Sequence, residues 1–490
     1  MTQRIALDQV IEAAPARVVV TEDASGQVTK AAFDLSGLPR VDAALVGRPV
    51  MEVPGLVERL CSICPTAHHL AGMRALESLA GLGELPPTAH AVRRLLHHAG
   101  VIGIHVVGLI STDPEEALIL RRFSKAAMAA VGSPGHFPVT AVPGGVAAPA
   151  DPALSQVCAG MVGEAMAAAC RVAERALGTP VSLDRFDGAD LALIDAQGRL
   201  DLFGQALRAV AADGSLVIEA AHADEWDSLV AEADPGSPTP RPYLVPLGPG
   251  AGKYRVGPVA QLRVGPLSTP VAVDLQQSWH SHHGGAHAAR AIITVHAVEV
   301  IAALLDDPVL CHPDDRHDRR RDATRQSLLD DPVLCHSDDP VLCHSDDPIL
   351  CHSDDPILCH SDDPILCHPA EGRISAPASS ASLVALPWPA TLPAGVGVGW
   401  VDGARGLLSH RYAIDEDGRV TAATILTPTA QNEPWLGDLL RAAATDSSDE
   451  KAVRAGMEDA IREADPCLPC STVPAGTMDL VVDVVDGKGR

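Results

Sequence analysis

The stretch "ERLCSICPTAHHLAG", residues 58–72, and the stretch "DPCLPCSTVPAGTMD", residues 465–479, carry two Cys-x-x-Cys pairs from opposite ends of the chain. A pair with that spacing brings two sulfurs within reach of one ion. Two such pairs offer four soft thiolates, a set that suits zinc, an iron–sulfur cluster or nickel. Spacing alone leaves these open, and a structural zinc site fits it almost as well as a reactive centre. The residues after Cys64 add a physical hint. Pro65 suits the first position of a helix, and Leu70, Met73, Leu76 and Ala80 recur three or four apart until "GLG" at 81–83 stops the pattern. Cys61 and Cys64 then sit by the positive end of that helix, which favours thiolates. His68, four residues after Cys64, is placed to donate a hydrogen bond to a sulfur or a bound ligand; its plain alternative is a core histidine.

The bulk of the chain sets limits. Its 490 residues allow two or three domains, or one large one with insertions. Aromatic residues are only 3% against 47% hydrophobic, so Ala, Val and Leu must fill the core, which favours helices. A net charge of −26, from 63 acidic and 37 basic residues, opposes nucleic-acid and anionic-membrane partners. The first twenty residues show no basic segment followed by an apolar one, and no charge-free run reaches membrane-spanning length. A cytoplasmic location and no membrane insertion are therefore expected, with thiols kept reduced for metals or for the core.

Along the chain, residues 17–34 read as a strand pair turning at Ser25-Gly26, and 84–132 as mostly helical. Residues 137–151 form a Pro/Gly loop, and 152–178 an Ala-rich helix whose Cys158 and Cys170 read as buried small residues. Mixed strands and loops fill 181–275, followed by the helix "GAHAARAIITVHAVEVIAALL". The group "WHSHHGGAH", residues 279–287, reads as a loop rather than as a metal site built from His280, His282, His283 and His287. From residue 306 the chain repeats "DDPVLCH" or "DDPILCH", placing Cys311, Cys335, Cys343, Cys351, Cys359 and Cys367 in six Cys-His dipeptides. A proline in every unit forbids a continuous helix. The array reads as a tandem expansion, disordered or loosely turned, with incidental affinity for soft metals. Residues 411–426 are a hairpin turning at Glu416-Asp417-Gly418, and a last helix covers 448–463. The expected division is 1–305, a 306–370 repeat insertion, and 371–490.

The two cysteine motifs resemble those of a known family. "ERLCSICPTAHHLAG" resembles the first signature of [NiFe] hydrogenase large subunits, Arg-x-Cys-Gly-x-Cys-x-x-x-His, and "DPCLPCSTV" resembles the second, Asp-Pro-Cys-x-x-Cys-x-x-His. "GHFPVTAVPGG" (135–145), "RVGPVAQLRVG" (255–265), "DGARGLLSHRYAIDEDGRV" (402–420) and "TPTAQN" (427–432) are similar to further family segments in the family's order. The resemblance implies a mainly α multihelical fold with small β additions, in which the two cysteine motifs meet deep inside. It also implies a nickel held by four sulfurs, two of them bridging to an iron that carries cyanide and carbonyl ligands. By position, Cys61 and Cys467 would be terminal on nickel, and Cys64 and Cys470 would bridge. Arg405 would sit beside the diatomic ligands and Thr429 near a cyanide, consistent with a negatively charged ligand that accepts hydrogen bonds. The implied partner is a hydrogenase small subunit or a hydrogenase maturation chaperone.

The chain also departs from the family. The glutamate that receives a proton near nickel has only Glu12 as a counterpart, without its Gly-His neighbours. A hard-metal site near the carboxy end has Asp42 in place of glutamate and Val473 in place of histidine, and valine has no ligand atom. Many family members lose a carboxy-terminal tail by cleavage just after that histidine. Here the bond is Val473-Pro474, a poor protease substrate, so residues 474–490 are expected to stay attached. Ser62, Ala404 and Gln261 stand where the family has Gly, Pro and Arg. Two functions remain open. One is a non-catalytic scaffold in hydrogenase maturation, similar to the HupK/HoxV-type expression/formation proteins. The other is a divergent catalytic large subunit of a cytoplasmic [NiFe] hydrogenase. A plain zinc or nickel site, or metal storage through the Cys-His array, is the remainder.

Overall fold

The structure, a computed structural model, describes residues 16–36, 41–61, 63–179, 186–237, 239–282, 284–311, 384–447, 449–468, 471, 473 and 476–486. The repeats from residue 330 onward lie outside the described residues. The body is mainly α with small β additions, and it is built around four long helices, Pro87–His105, Pro114–Ala130, Pro152–Leu177 and Ala286–Leu305. Three of them open on proline, whose fixed φ and missing N–H suit the first helical turn. Asp151 caps the third by accepting from the backbone N–H groups of Ala153 and Leu154. Small side chains allow close packing, and Ala165, Ala168, Ala169 and Ala173 on one helix and Ala288, Ala289 and Ala297 on another are almost fully buried. Helices 152–177 and 286–305 are also long and apolar enough to cross a membrane by length and composition, and the second is mostly enclosed by the rest of the protein.

The helix Pro65–Leu79, which comes after the first cysteine pair, lies on a three-stranded antiparallel sheet of Gly395–Gly403, Gly406–Ile414 and Val420–Leu426. Alternate glycines in "GVGVGW" make that approach possible. A Cβ at Gly399 would run into the backbone of Ala71 and Ala75, and one at Gly397 into Ala75. Arg74 fastens the contact by donating to the carbonyl oxygens of Trp400 and Gly204 at 2.8 and 3.0 Å, and of Phe203 at 2.9 Å. A second sheet, with Ala189–Ile194 at its centre, packs behind the first around Trp400, Tyr254 and Trp226. Buried Arg93 grips Glu77 through two hydrogen bonds at 2.6 and 3.0 Å. It also bonds the carbonyl of Gly145, which pins the Pro143-Gly144-Gly145 turn.

A third sheet joins the two ends of the described chain. Strand Ala16–Glu22 pairs antiparallel with Val28–Phe33, as expected for 17–34. It also pairs in parallel with Leu480–Asp486, in register from Ala16 opposite Leu480 to Glu22 opposite Asp486. One side of helix Glu450–Ala464 holds the segment leading to that strand. Arg454 donates to the carbonyl of Leu480 at 2.8 Å and Arg462 to that of Val473 at 3.3 Å. Buried Glu458 accepts from the backbone N–H of Gly476 at 2.8 Å and from Arg462 at 2.8 Å.

Two expectations need adjusting. Residues 279–282 are not a loop: His280 and His282 close the helix Pro270–His282, because Ala272, Gln276 and Trp279 supply a buried face at helical spacing. His280 bonds the carbonyl of Leu262 at 3.0 Å and His282 that of Ser278 at 2.8 Å, so neither ring joins a metal cluster. The start of the first octapeptide copy is part of the fold. Pro308–Leu310 is a 3-10 turn with Leu310 fully buried, and Cys311 lies against Ser155.

Candidate metal centre

Cys61 ends the helix Val53–Leu60 in an extended conformation, and Cys64 precedes the first turn of helix 65–79. The backbone N–H of Cys64 points at the Cys61 sulfur, 3.4 Å away. Cys467 arrives from the far end of the chain by way of Asp465, which takes the left-handed conformation, φ 45°, as helix 450–464 terminates. Asp tolerates that region better than most residues. Here its carboxylate is also tied down by Arg405 Nε at 3.1 Å, Arg290 Nε at 3.5 Å and the Ser471 hydroxyl at 2.9 Å. The next anchor is Thr429, whose Oγ1 accepts from the Cys467 backbone N–H at 2.7 Å.

Three sulfurs meet as a result. Cys61 and Cys64 are 3.0 Å apart, Cys64 and Cys467 3.6 Å, and Cys61 and Cys467 3.9 Å. A tetrahedral ion with metal–sulfur bonds near 2.3 Å separates its sulfurs by about 3.8 Å, so this triangle matches one shared cation. Among the described residues it is the one group of three or more ligand-type side chains close enough to share an ion. Cys470 and Glu12 lie outside the described residues, as does Ser62.

The electrostatics of the triangle are those of a site awaiting positive charge. Sulfur–hydrogen bonds from Cys467 and Cys64 pull the Cys61 thiol well below its ordinary pKa, with His68 adding to the effect. Contacts with Cys467 and Cys61, and burial, push Cys64 well up, and the Cys61 contact with burial pushes Cys467 to about 12. A bound cation would ionise all three thiols.

The sulfurs open into a cavity of about 410 Å³ walled mainly by apolar side chains, among them Val57, Ile63, Val101, Ile104 and Leu408. Its polar lining beyond the cysteines includes His68, His97, Arg405, Thr66, Thr427, Thr429 and Asp42. Arg405 sits at the tip of the two-residue turn between strands 395–403 and 406–414. It is almost fully buried, and among the described residues its Nη1 has no hydrogen-bond partner. Burial works against the guanidinium charge, but Asp465 and the sulfurs of Cys467 and Cys64 outweigh it and favour the charge. Thr429 spends its oxygen lone pair on Cys467 and keeps its O–H free to donate. A buried cation with an unused N–H, beside a hydroxyl with an unused O–H, fits a compact anionic ligand on a metal next to the sulfurs. Asp42 accepts from the backbone N–H of Ile425 at 3.2 Å, and Val473 packs against the core. No group of hard-metal ligands gathers around either among the described residues.

Comparison with known proteins agrees with this geometry. Residues 41–110 match the model of the nickel-dependent hydrogenase family. The β subunit of the NAD-reducing hydrogenase HoxS of Cupriavidus necator is 26% identical over all of this chain and 99% of its own length. A solved NAD⁺-reducing [NiFe]-hydrogenase in the H₂-reduced state superposes with a TM-score of 0.69 at 25% identity, covering 92% of this chain and 95% of that one. The chain is a homologue of nickel-dependent hydrogenase large subunits. The F420-non-reducing hydrogenase vhu of Methanocaldococcus jannaschii contributes a further relative of this large-subunit homologue, 25% identical over 87% of this chain and 95% of its own.

The large-subunit homologue contains site residues that motif reading passes over. Asp465 holds Arg405 and shapes the turn into Cys467; its one signal is its place directly before Pro466. His410 and Tyr412, on strand 406–414, stand behind His68: His410 Nε2 is 2.9 Å from His68 Nδ1, and Tyr412 Oη is 2.6 Å from His410 Nδ1. Asp402 is fully buried, with Gln261 donating to it at 2.6 Å and the backbone of Leu193 at 3.1 Å.

Proposed function

We propose that this large-subunit homologue holds a nickel ion, an iron unit with cyanide and carbonyl ligands, or both, through Cys61, Cys64, Cys467 and Cys470. We propose further that it serves as a non-catalytic scaffold in hydrogenase maturation. The meeting of three sulfurs beside the unpartnered Arg405 nitrogen supports the metal assignment. When bound, the centre would supply a redox-active, Lewis-acidic metal pair. The chain's own part is to provide sulfur ligands, a guanidinium and a hydroxyl for the anionic ligands, and a dry apolar wall. A cytoplasmic setting, with a hydrogenase small subunit or maturation chaperones as partners, belongs to the same reading.

The fate of the carboxy-terminal tail carries the scaffold assignment. Residues beyond Val473 are built into the fold: 480–486 is a full strand beside 16–22, and its approach is gripped by Arg454, Glu458 and Arg462. Cutting after Val473 would strip a strand from that sheet, and Pro474 makes the bond hard to cut. The weak counterpart of the proton-accepting glutamate and the valine at position 473 point the same way.

A divergent catalytic large subunit is the second reading. It is favoured by the retention of His68, Arg405 and Thr429 and by similarity along the whole length of the β subunit of an NAD-reducing hydrogenase. Anaerobic purification from a host with hydrogenase maturation machinery separates the cases. Infrared bands of metal-bound cyanide and carbonyl on a protein of full intact mass, without hydrogen-dependent dye reduction when a small subunit is supplied, are expected. Loss of residues 474–490, or hydrogen-dependent turnover, would replace the scaffold with the catalytic subunit. Zinc without infrared bands would overturn both.

A further inference from the structure

Behind the sulfur triangle runs a line of three buried polar rings. His68 is 4% exposed, and His410 and Tyr412 are fully buried. Their hydrogen bonds are short: 2.6 Å from Tyr412 Oη to His410 Nδ1, and 2.9 Å from His410 Nε2 to His68 Nδ1. His68 lines the cavity beside the three sulfurs, and with Nδ1 engaged by His410 its Nε2 is the nitrogen left for that side.

A neutral imidazole has one donor and one acceptor nitrogen, so the line can run in only two directions. In one, Tyr412 donates to His410 Nδ1, His410 donates from Nε2 to His68 Nδ1, and His68 offers Nε2–H to the cavity side. In the other, every proton is reversed. Tyr412 decides between them. Its Oη makes no other hydrogen bond among the described residues, so the reversed direction would leave a phenolic O–H buried and unused, at a cost of about 1–3 kcal/mol. Burial also keeps Tyr412 protonated and His410 neutral.

We infer that Tyr412 is a positioning residue for the metal centre: acting through His410, it fixes His68 in the Nε2–H tautomer, so that the cavity beside the sulfurs always presents a donor. The consequence is a donor toward a ligand sulfur or a metal-bound anion, held so by a phenol two rings away. For the bound metal this rests on the metal-centre reading above; the tautomers themselves do not.

The test uses the full-length protein and Tyr412→Phe, which removes one oxygen and leaves the packing unchanged. In metal-free protein with ¹⁵N-labelled histidine, assigned with His68→Gln and His410→Gln, wild type should show His68 and His410 protonated at Nε2 and bare at Nδ1. Tyr412→Phe should lose that preference. Cobalt(II) is the metal probe. Tyr412→Phe and His410→Leu should weaken its binding by about tenfold and shift the sulfur-to-metal charge-transfer band. His410→Gln, which keeps one acceptor and one donor, should stay near wild type. A wild-type His68 protonated at Nδ1 overturns the inference. So does an unchanged cobalt band and affinity in Tyr412→Phe. If wild type binds no cobalt, the metal reading fails while the nitrogen spectra still decide the tautomer. Should Tyr412→Phe not fold, the wild-type spectra decide alone.

Discussion

Arg405 and Asp465 form a buried ion pair that does two tasks: it sets the turn into Cys467 and leaves one guanidinium nitrogen facing the cavity. Replacing Arg405 by Leu strands the Asp465 carboxylate, with only Arg290 to offset it. A loss of about 3–5 kcal/mol of stability is expected from a urea midpoint, and Arg405→Lys should recover part of it. Asp402 behaves in the opposite sense. Burial pushes it up to about 7, against the hydrogen bonds from Gln261 and Leu193. A carboxyl raised in the native state takes up protons there before it does so unfolded. Its contribution is therefore favourable near pH 4 and is lost as pH rises to 7, by up to roughly 4 kcal/mol. Asp402→Asn should cancel that slope, so the difference between wild-type and variant urea midpoints should shrink at pH 5 relative to pH 7.5. An equal difference at both pH values would refute it. Cys61, Cys64 and Cys467 were legible from their spacing because a chelating pair is a local pattern. Asp465, His410 and Tyr412 were not, because their roles depend on partners far away in the chain.

Helices announced themselves in the sequence through proline at their first turn and apolar residues every third or fourth position, so 65–79, 152–177 and 286–305 fall where the pattern puts them. Hairpins around Ser25-Gly26 and Gly418 were equally clear. The pairing of 16–22 with 480–486 was not, since parallel neighbours need no turn and leave no local trace. Its support comes from helix 450–464, where Arg454, Glu458 and Arg462 succeed one another at four-residue spacing along one face. Glu458→Ala removes the acceptor for Gly476 and the partner of Arg462. A loss of about 2–4 kcal/mol is expected. Limited proteolysis read by intact mass should then cut the segment after Val473 sooner than in wild type. Equal resistance would mean that the strand pairing alone secures it.

At the scale of the whole molecule, the fold closes without the repeats. The carbonyl of Leu310 accepts from the backbone N–H of Ala150, and that of Val384 from Val146, so the chain leaves and returns at the same loop. Deleting 330–367 should preserve thermal stability and the nickel bound per chain, because shortening an already long loop changes closure by only about 0.6 kcal/mol per halving. A fall in bound nickel would instead give the Cys-His units a share in metal binding. Acid is a different matter. Burial lowers His97, His105 and His296 to about 4 and His98 further still. Each is neutral in the native state and charged when unfolded below pH 6.5. Stability should therefore fall steeply from pH 6.5 toward pH 4, with the unfolded chain binding the extra protons. A flat profile over that range would contradict the burial of these rings.

The parallel strand at 480–486 has a consequence for synthesis. Residues 16–22 leave the ribosome early, but their neighbour on that side emerges on the order of half a minute later. Cys61 waits nearly as long for Cys467. Until those residues are made, the nascent chain carries an open sheet edge and an incomplete set of sulfurs, so loading the metal pocket has to follow their synthesis.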